Sequence, residues 1–278
     1  MSLILSNKII RERPNGLCSP IVEGKRGIGK SAYCLKTMKE VFQKVYECSE
    51  SEAYDTALKY TLYDIEDIIF TLEDAIDKKE PLPVVTWDDA GVHGSSLQWF
   101  FKMDEVNQLK AITDTIRSAV TGFLINCPDR NNLLNFLRNY DDYLVTIVKA
   151  PGGGNKYVDE AGITHMYKNY ERVARGYNIF KLPSGKRLVF KNFEDEYSCF
   201  VPNAFYERYE ERRKKYLSRA LKELKELREE RLSKKKIDKI DIALKEMDLS
   251  EKMERLEKKK QDELMRNMKH GDGTDNTT

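Results

Sequence analysis

The sequence predicts an α/β fold: a mostly parallel sheet covered by helices on both faces, then a small β appendix and a long C-terminal helical extension. Three observations predict it. Short continuous apolar runs alternate with amphipathic helical stretches over the first 150 residues, the pattern of strands buried on both sides. From Gly152 the texture turns to a glycine-rich loop and long β-prone runs. From Phe205 to Lys269 there is no Gly or Pro, and Glu, Lys, Arg and Leu dominate. The expected divisions are therefore 1–150, 151–204, 205–269 and a disordered 270–278, which has no apolar residue after His270.

The elements follow in order. Leu17 to Val22 is an apolar strand leading into a glycine-rich turn. Ser31 to Tyr46 carries Tyr33, Cys34, Leu35, Met38, Val41, Phe42 and Val45 at helical spacing. Asp64 reads as an N-cap, with Ile65, Ile68, Ile69, Leu72 and Ile76 on the apolar face behind it. Pro83 to Trp87 is a β-branched strand closed by two acids. A helix is expected over Asp104 to Ala119, a buried strand over Thr121 to Asn126, a short helix over Asn131 to Tyr140 and a strand over Tyr143 to Lys149. Tyr167 to Phe180 and Arg187 to Phe200 read as strands joined by the turn 182–186, either a β appendix or an antiparallel extension of the sheet.

The strongest chemical signal is Gly24-Lys25-Arg26-Gly27-Ile28-Gly29-Lys30-Ser31, a full match to G-x-x-x-x-G-K-[ST] between a strand and a helix. Glycines let the backbone wrap so that successive N–H groups face phosphate oxygens, and the following helix adds positive potential at its N-terminus. Gly24, Gly27, Ile28, Gly29, Lys30, Ser31 and Ala32 are the candidate nucleotide-binding residues. Lys30 is placed to reach the β- and γ-phosphates and Ser31 to ligate Mg²⁺. The bland alternative is a chance match in a glycine-rich turn.

Asp88 and Asp89 end the strand Val84-Val85-Thr86-Trp87. This is the form of a Walker B element, with Asp88 holding the metal through water and Asp89 polarising the attacking water. Asn126, at the end of the next core strand, is a candidate to orient that water; the alternative is a polar residue that satisfies a strand end before Pro128. Arg117, Arg130 and Arg138 are candidates for a γ-phosphate sensor or a trans-acting arginine finger, with Arg117 foremost.

On Gly24 to Ser31, Asp88 with Asp89, and Asn126, the chain resembles P-loop ATPases of the additional-strand group, to which the RecA-like, FtsK/HerA-like and AAA+ families belong. The resemblance implies that a strand lies between the phosphate-loop strand and the Walker B strand. It also implies ATP and Mg²⁺ as ligands, hydrolysis to ADP and phosphate, and an oligomer acting on DNA or a protein assembly. Such enzymes usually have Asp-Glu at the end of the Walker B strand, where this chain has Asp88-Asp89. A looser resemblance covers about 1–216. Trp87 to Val92, Arg172 to Tyr177, Glu194-Asp195, Val201-Pro202, Tyr206 and Arg213 to Tyr216 look like ATPases of archaeal viruses and plasmids, and also like zonular-occludens-toxin-like phage assembly ATPases. Two other classes stay open: a nucleotide-gated binding module with little hydrolysis, and a small-molecule kinase, for which no lid-like arginine cluster is evident.

Composition narrows the rest. Five cysteines with no CxxC pair, and three widely separated histidines, argue against a disulfide framework or a zinc site. No apolar run is long enough to cross a membrane and the start lacks a secretory pattern, so a cytoplasmic protein is expected. Net charge is +2, but residues 205–269 hold 22 Lys and Arg against 16 Asp and Glu. The Leu217-Leu221-Leu224, Ile237-Ile240-Leu244-Met247 and Leu249-Met253-Leu256 stripes change phase between them, which predicts several short helices rather than one coiled coil; Asp248 with Glu251 resembles a capping box. Its basic groups, 212–215, 234–236 and 258–260, are either phosphate contacts for DNA, a surface for a protein partner, or a solvated face.

Overall fold

The computed structural model describes residues 2–91, 103–139, 143–151, 156–158, 162, 164–166, 170–181, 187–222, 225, 226, 228, 229, 252, 253 and 255–260. The chain forms two compact units, Met1–Arg213 and Lys214–Thr278. The first unit holds α1 (Ile4–Glu12), β1 (Ile21–Glu23), α2 (Lys30–Tyr46), α3 (Glu50–Lys59), β2 (Thr61–Leu62), α4 (Ile65–Asp77) and β3 (Leu82–Trp87). It continues with α5 (Met103–Thr115), β4 (Val120–Cys127), β5 (Tyr143–Lys149), β6 (Lys156–Val158), β7 (Thr164–Met166), β8 (Glu171–Lys181) and β9 (Arg187–Ser198). Residues 203–222 are helical; the part up to Arg213, α6 below, belongs to this unit. In the second unit the described residues beyond it are helical as well.

Seven strands form one sheet in the order β2-β3-β4-β1-β5-β8-β9. The first five run parallel, and β8 and β9 continue the sheet antiparallel from β5. The segment after Gly152 thus contributes two strands to the main sheet, while β6 and β7 pair with each other in a separate two-stranded sheet. Strand β4 lies between β1 and β3, with Val22 beside Asn126 and Trp87 beside Ile125.

Strand alternation sorts the core. Val85, Trp87, Phe123, Ile125 and Cys127 pack with Ile68, Leu72, Leu109, Leu133 and Leu137 on one face. On the other, the Thr86 hydroxyl meets the Met38 sulfur at 2.8 Å. Gly122 there leaves no room for a side chain: a Cβ would fall 2.8 Å from Ile9 and 2.9 Å from Val84. Helices α1 and α2 therefore cover the face that carries the even-numbered residues of β3 and β4. The period of two places Asp88 and Asn126 on that same face.

Helix α1 was not legible in the sequence, and its first turn has no side-chain cap of its own. Distant acids supply one. Glu40 accepts from Leu3 N at 2.8 Å, and Asp195 on β9 accepts from Ile4 N at 2.6 Å and Leu5 N at 3.3 Å. Carboxylates at a helix N-terminus satisfy orphan N–H groups and complement the dipole. Asp195 also accepts from the Tyr33 hydroxyl at 2.7 Å, tying β9 to α2.

Two local expectations change. The helix expected over Asn131 to Tyr140 is two 3₁₀ turns, Arg130–Asn132 and Leu137–Asn139. Asp129 accepts from Asn131 N at 2.8 Å, and such Asx geometry, with Asn at 131, 132 and 135, outcompetes the helix. Helix α3 and strand β2 were not anticipated; Ser49 and Glu52 build a reciprocal capping box that starts α3. Asp64 caps α4 as expected, accepting from Asp67 N at 2.8 Å. The turn 182–186, the capping box at Asp248 and the tail 270–278 lie outside the described residues.

Candidate nucleotide site

The loop between β1 and α2 turns on its glycines. Gly24, Gly27 and Gly29 have φ of 149°, 72° and 108°, values that a residue with a Cβ adopts only with strain. Gly29 is further constrained, because a Cβ there would sit 2.7 Å from the Cβ of Cys199. Lys30 opens α2 and is buried; its ammonium donates to the carbonyls of Gly24 at 2.9 Å and Lys25 at 3.2 Å. Burial lowers the Lys30 pKa, while the carboxylates of Asp89 and Asp88 oppose that shift. Ile28 and Ala32 flank this turn, half-buried.

Ser31, Asp88 and Asn126 come together at the strand ends. Ser31 Oγ donates to Asp88 Oδ1 at 3.0 Å, and Asn126 Nδ2 donates to Ser31 Oγ at 3.0 Å and to Asp88 Oδ1. Asp88 and Asn126 are each 1% exposed. Burial, and next the neighbouring Asp89 carboxylate, push the Asp88 carboxyl above the usual aspartate range; the donors Tyr209, Asn126 and Ser31 pull it down. Asn126 Oδ1 is buried and has no hydrogen-bond partner among the described residues.

Asp89 leaves the strand with φ 51°, the left-handed region. This turns its carboxylate out of the alternation, half-exposed, where Arg213 Nε meets Oδ2 at 3.3 Å. Its charge is also the largest opposing influence on Lys30.

Arg117 stands apart. It is exposed in the 3₁₀ turn Ile116–Ser118, before the first residue of β4, whereas Asn126 lies near the last. Strands rise about 3.3 Å per residue, so about 20 Å of strand, Val120 to Asn126, separates the turn that carries Arg117 from Asn126. Arg117 does not join this site within one chain. Arg130 lies on the loop side, its backbone N–H donating to Glu23 at 3.4 Å. Arg138 is half-buried in the second 3₁₀ turn.

Residues that sequence reasoning did not single out complete the site. Arg172 on β8 donates from Nε to the Ile28 carbonyl at 2.7 Å, and Tyr197 on β9 donates to the Gly29 carbonyl at 3.0 Å. Tyr209 on α6 donates to Asp88 Oδ2 at 2.6 Å. Of these, Arg172 alone fell within the looser resemblance, in the stretch Arg172 to Tyr177, which gave it no role; Tyr197 and Tyr209 lay outside the residues that carried it.

A glycine loop between β1 and α2, an acid at the end of β3, and β4 inserted between the two define the additional-strand P-loop NTPase fold. No family model matches the chain. It is similar to protein B-251 of Sulfolobus spindle-shape virus 1, an uncharacterized protein, with 27% identity over 225 residues, 80% of this chain and 84% of that protein. Among solved structures it is similar to the DNA-packaging ATPase B204 of Sulfolobus turreted icosahedral virus, with 14% identity, 64% of this chain and 99% of that one covered, and a TM-score of 0.36. For the genome-packaging NTPase B204 of Sulfolobus turreted icosahedral virus 2 with ATP-gammaS, the values are 16%, 63%, 97% and 0.35. For a KaiC-like protein of Pyrococcus horikoshii they are 13%, 62%, 89% and 0.28. Among the described residues, no helix is long and apolar enough to cross a membrane.

Proposed function

We propose that this protein binds ATP in the loop Gly24–Ser31 with Mg²⁺ and hydrolyses it to ADP and phosphate, as a homo-oligomer that handles DNA in the cytoplasm of its host. The observation that carries the nucleotide reading is the convergence of Ser31, Asp88 and Asn126 at the mouth of a glycine loop closed by Lys30. The donor set fits Mg²⁺. Ser31 Oγ and Asp88 Oδ1 are hard oxygens from the two elements that meet there, and Mg²⁺ is held by few protein oxygens and keeps its waters. Asn126 Oδ1, buried and without a partner among the described residues, is an acceptor for one such water. No group of three or more His, Cys, Asp or Glu gathers elsewhere among the described residues to hold a metal.

The chain's own residues then divide the work. Lys30 leaves the loop carbonyls of Gly24 and Lys25 and neutralises the β- and γ-phosphates. Ser31 and Asp88 would hold Mg²⁺, which when bound offsets charge on the phosphate oxygens. Asp89 accepts a proton from the attacking water, and Asn126 orients that water for in-line displacement of ADP. The DNA part rests on the family resemblance and on the basic excess in 205–269. Packaging is what the B204 proteins are named for; replication and transfer are further candidates here.

A second reading, a nucleotide-gated module with little hydrolysis, is favoured by the engagement of both acids in this structure, Asp88 with Tyr209 and Asp89 with Arg213. Phosphate release, measured with and without single- and double-stranded DNA, separates the two. The enzyme reading expects turnover that Asp89→Asn abolishes while ATP binding survives. No turnover in the parent protein under any of these conditions supports the module.

A further inference from the structure

We propose that Tyr209 is a positioning residue for the carboxylate of Asp88, so that the docking of α6 sets how well the site holds Mg²⁺ with its nucleotide. This rests on the nucleotide reading above.

Asp88 is shared between two sides. Its Oδ1 faces Ser31 and Asn126, where the metal would sit, and its Oδ2 accepts from the Tyr209 hydroxyl at 2.6 Å. With Oδ2 satisfied from behind, Asp88 is held in one rotamer with Oδ1 aimed at Ser31. A hydrogen bond to an ionised, buried acceptor is among the stronger kinds, and partners of metal-holding carboxylates fix ligand orientation.

Tyr209 is itself fixed. Residues of α6 grip α3 and the β2 edge: Phe205 stacks on Tyr54 with centroids 4.8 Å apart, Arg208 pairs with Asp55, and Arg212 donates to the carbonyls of Leu58 and Thr61. The Tyr209 ring lies beside Tyr63. The hydroxyl that orients Asp88 thus reaches the site only while α6 is seated. Any partner that lifts or seats this helix changes Mg²⁺ binding, and Mg²⁺ binding changes the seating by the same factor.

The test uses the full chain and a fluorescent ATP analogue, titrated with Mg²⁺ and again in EDTA. Tyr209→Phe keeps the ring and removes the hydroxyl. The inference expects the Mg²⁺ concentration at half-saturation to rise roughly ten- to hundredfold, the range for losing a hydrogen bond to a charged group. Affinity for the analogue in EDTA should stay within about twofold, since the loop itself is unchanged. Phe205→Ala, which leaves the hydroxyl but loosens the helix, should shift the Mg²⁺ requirement in the same direction and keeps the test decisive if Tyr209→Phe misfolds. Tyr206→Phe, on an exposed neighbour, should shift nothing. An unchanged or lower Mg²⁺ requirement in both Tyr209→Phe and Phe205→Ala overturns the inference. So does an equal loss with and without Mg²⁺, which marks a merely structural role. If the parent protein binds no nucleotide, the reading of function fails first, and this inference falls with it.

Discussion

Arg172 and Ile28, 144 residues apart, are joined by a 2.7 Å hydrogen bond from the guanidinium Nε to the loop carbonyl. The same side chain donates to its neighbour's carbonyl, Glu171 O, at 2.7 Å, so two donors of the guanidinium are fixed at once. Arg172→Ala removes a charged donor from a part-buried loop carbonyl. The free protein should lose about 1–3 kcal/mol, and nucleotide affinity should fall with it. Arg172→Lys should not restore either, because an ammonium cannot reproduce two donors in a fixed fork. Chemical unfolding and equilibrium nucleotide binding check both statements.

Gly29→Ala should abolish nucleotide binding. The new Cβ meets Cys199 at 2.7 Å and the backbone φ of 108° disfavours any L side chain. Relieving the contact with Cys199→Gly leaves the backbone strain of about 1–3 kcal/mol in place, so the double variant should recover binding only in part. A titration of the three proteins with the same nucleotide reads this out.

Asn126→Ala should slow phosphate release about 10²–10³-fold, the effect of losing one preorganised polar group around the reacting centre. Binding should change far less, because Lys30 and the loop backbone are untouched. Single-turnover phosphate release set against binding affinity distinguishes the two.

The Asp88 carboxyl binds its proton more tightly in the folded chain than the ordinary aspartate value of 3.8 implies. Its ionisation therefore costs stability. That cost is absent below the ordinary value, grows as pH rises through the window up to the raised one, and is fully present above it. Asp88→Asn should raise the unfolding temperature of the nucleotide-free protein at pH 7, with the gain shrinking as pH falls toward 4. Asn126 can rotate its unpartnered Oδ1 toward the new amide. The same variant should lose the Mg²⁺ dependence of nucleotide binding. A lower unfolding temperature at pH 7 contradicts the electrostatic account.

The parallel half of the fold was legible because its signals are local. Gly24 to Ser31 is one contiguous loop, and the alternation in β3 and β4 points Asp88 and Asn126 to one face without any long-range knowledge. The adjacency of β4 to both β1 and β3 came from family resemblance and is seen directly in the strand order. What was not legible is long-range. Arg172, Tyr197, Tyr209 and Arg213 reach the site from strands and a helix more than 120 residues away, and nothing in their spacing names a target. Helix α1 is short and capped by Glu40 and Asp195, so its start carries no local signal. Arg117 precedes a core strand, and the strand's direction puts it at the end away from Asn126 within one chain.

The most direct test of the central claim is the affinity of the parent protein and of Lys30→Ala for Mg²⁺·ATP, measured by equilibrium titration under one set of conditions. Losing the charged contact to the phosphates should weaken binding roughly a hundredfold. Equal affinity in the two proteins would contradict the assignment of Gly24–Ser31 as the triphosphate cradle.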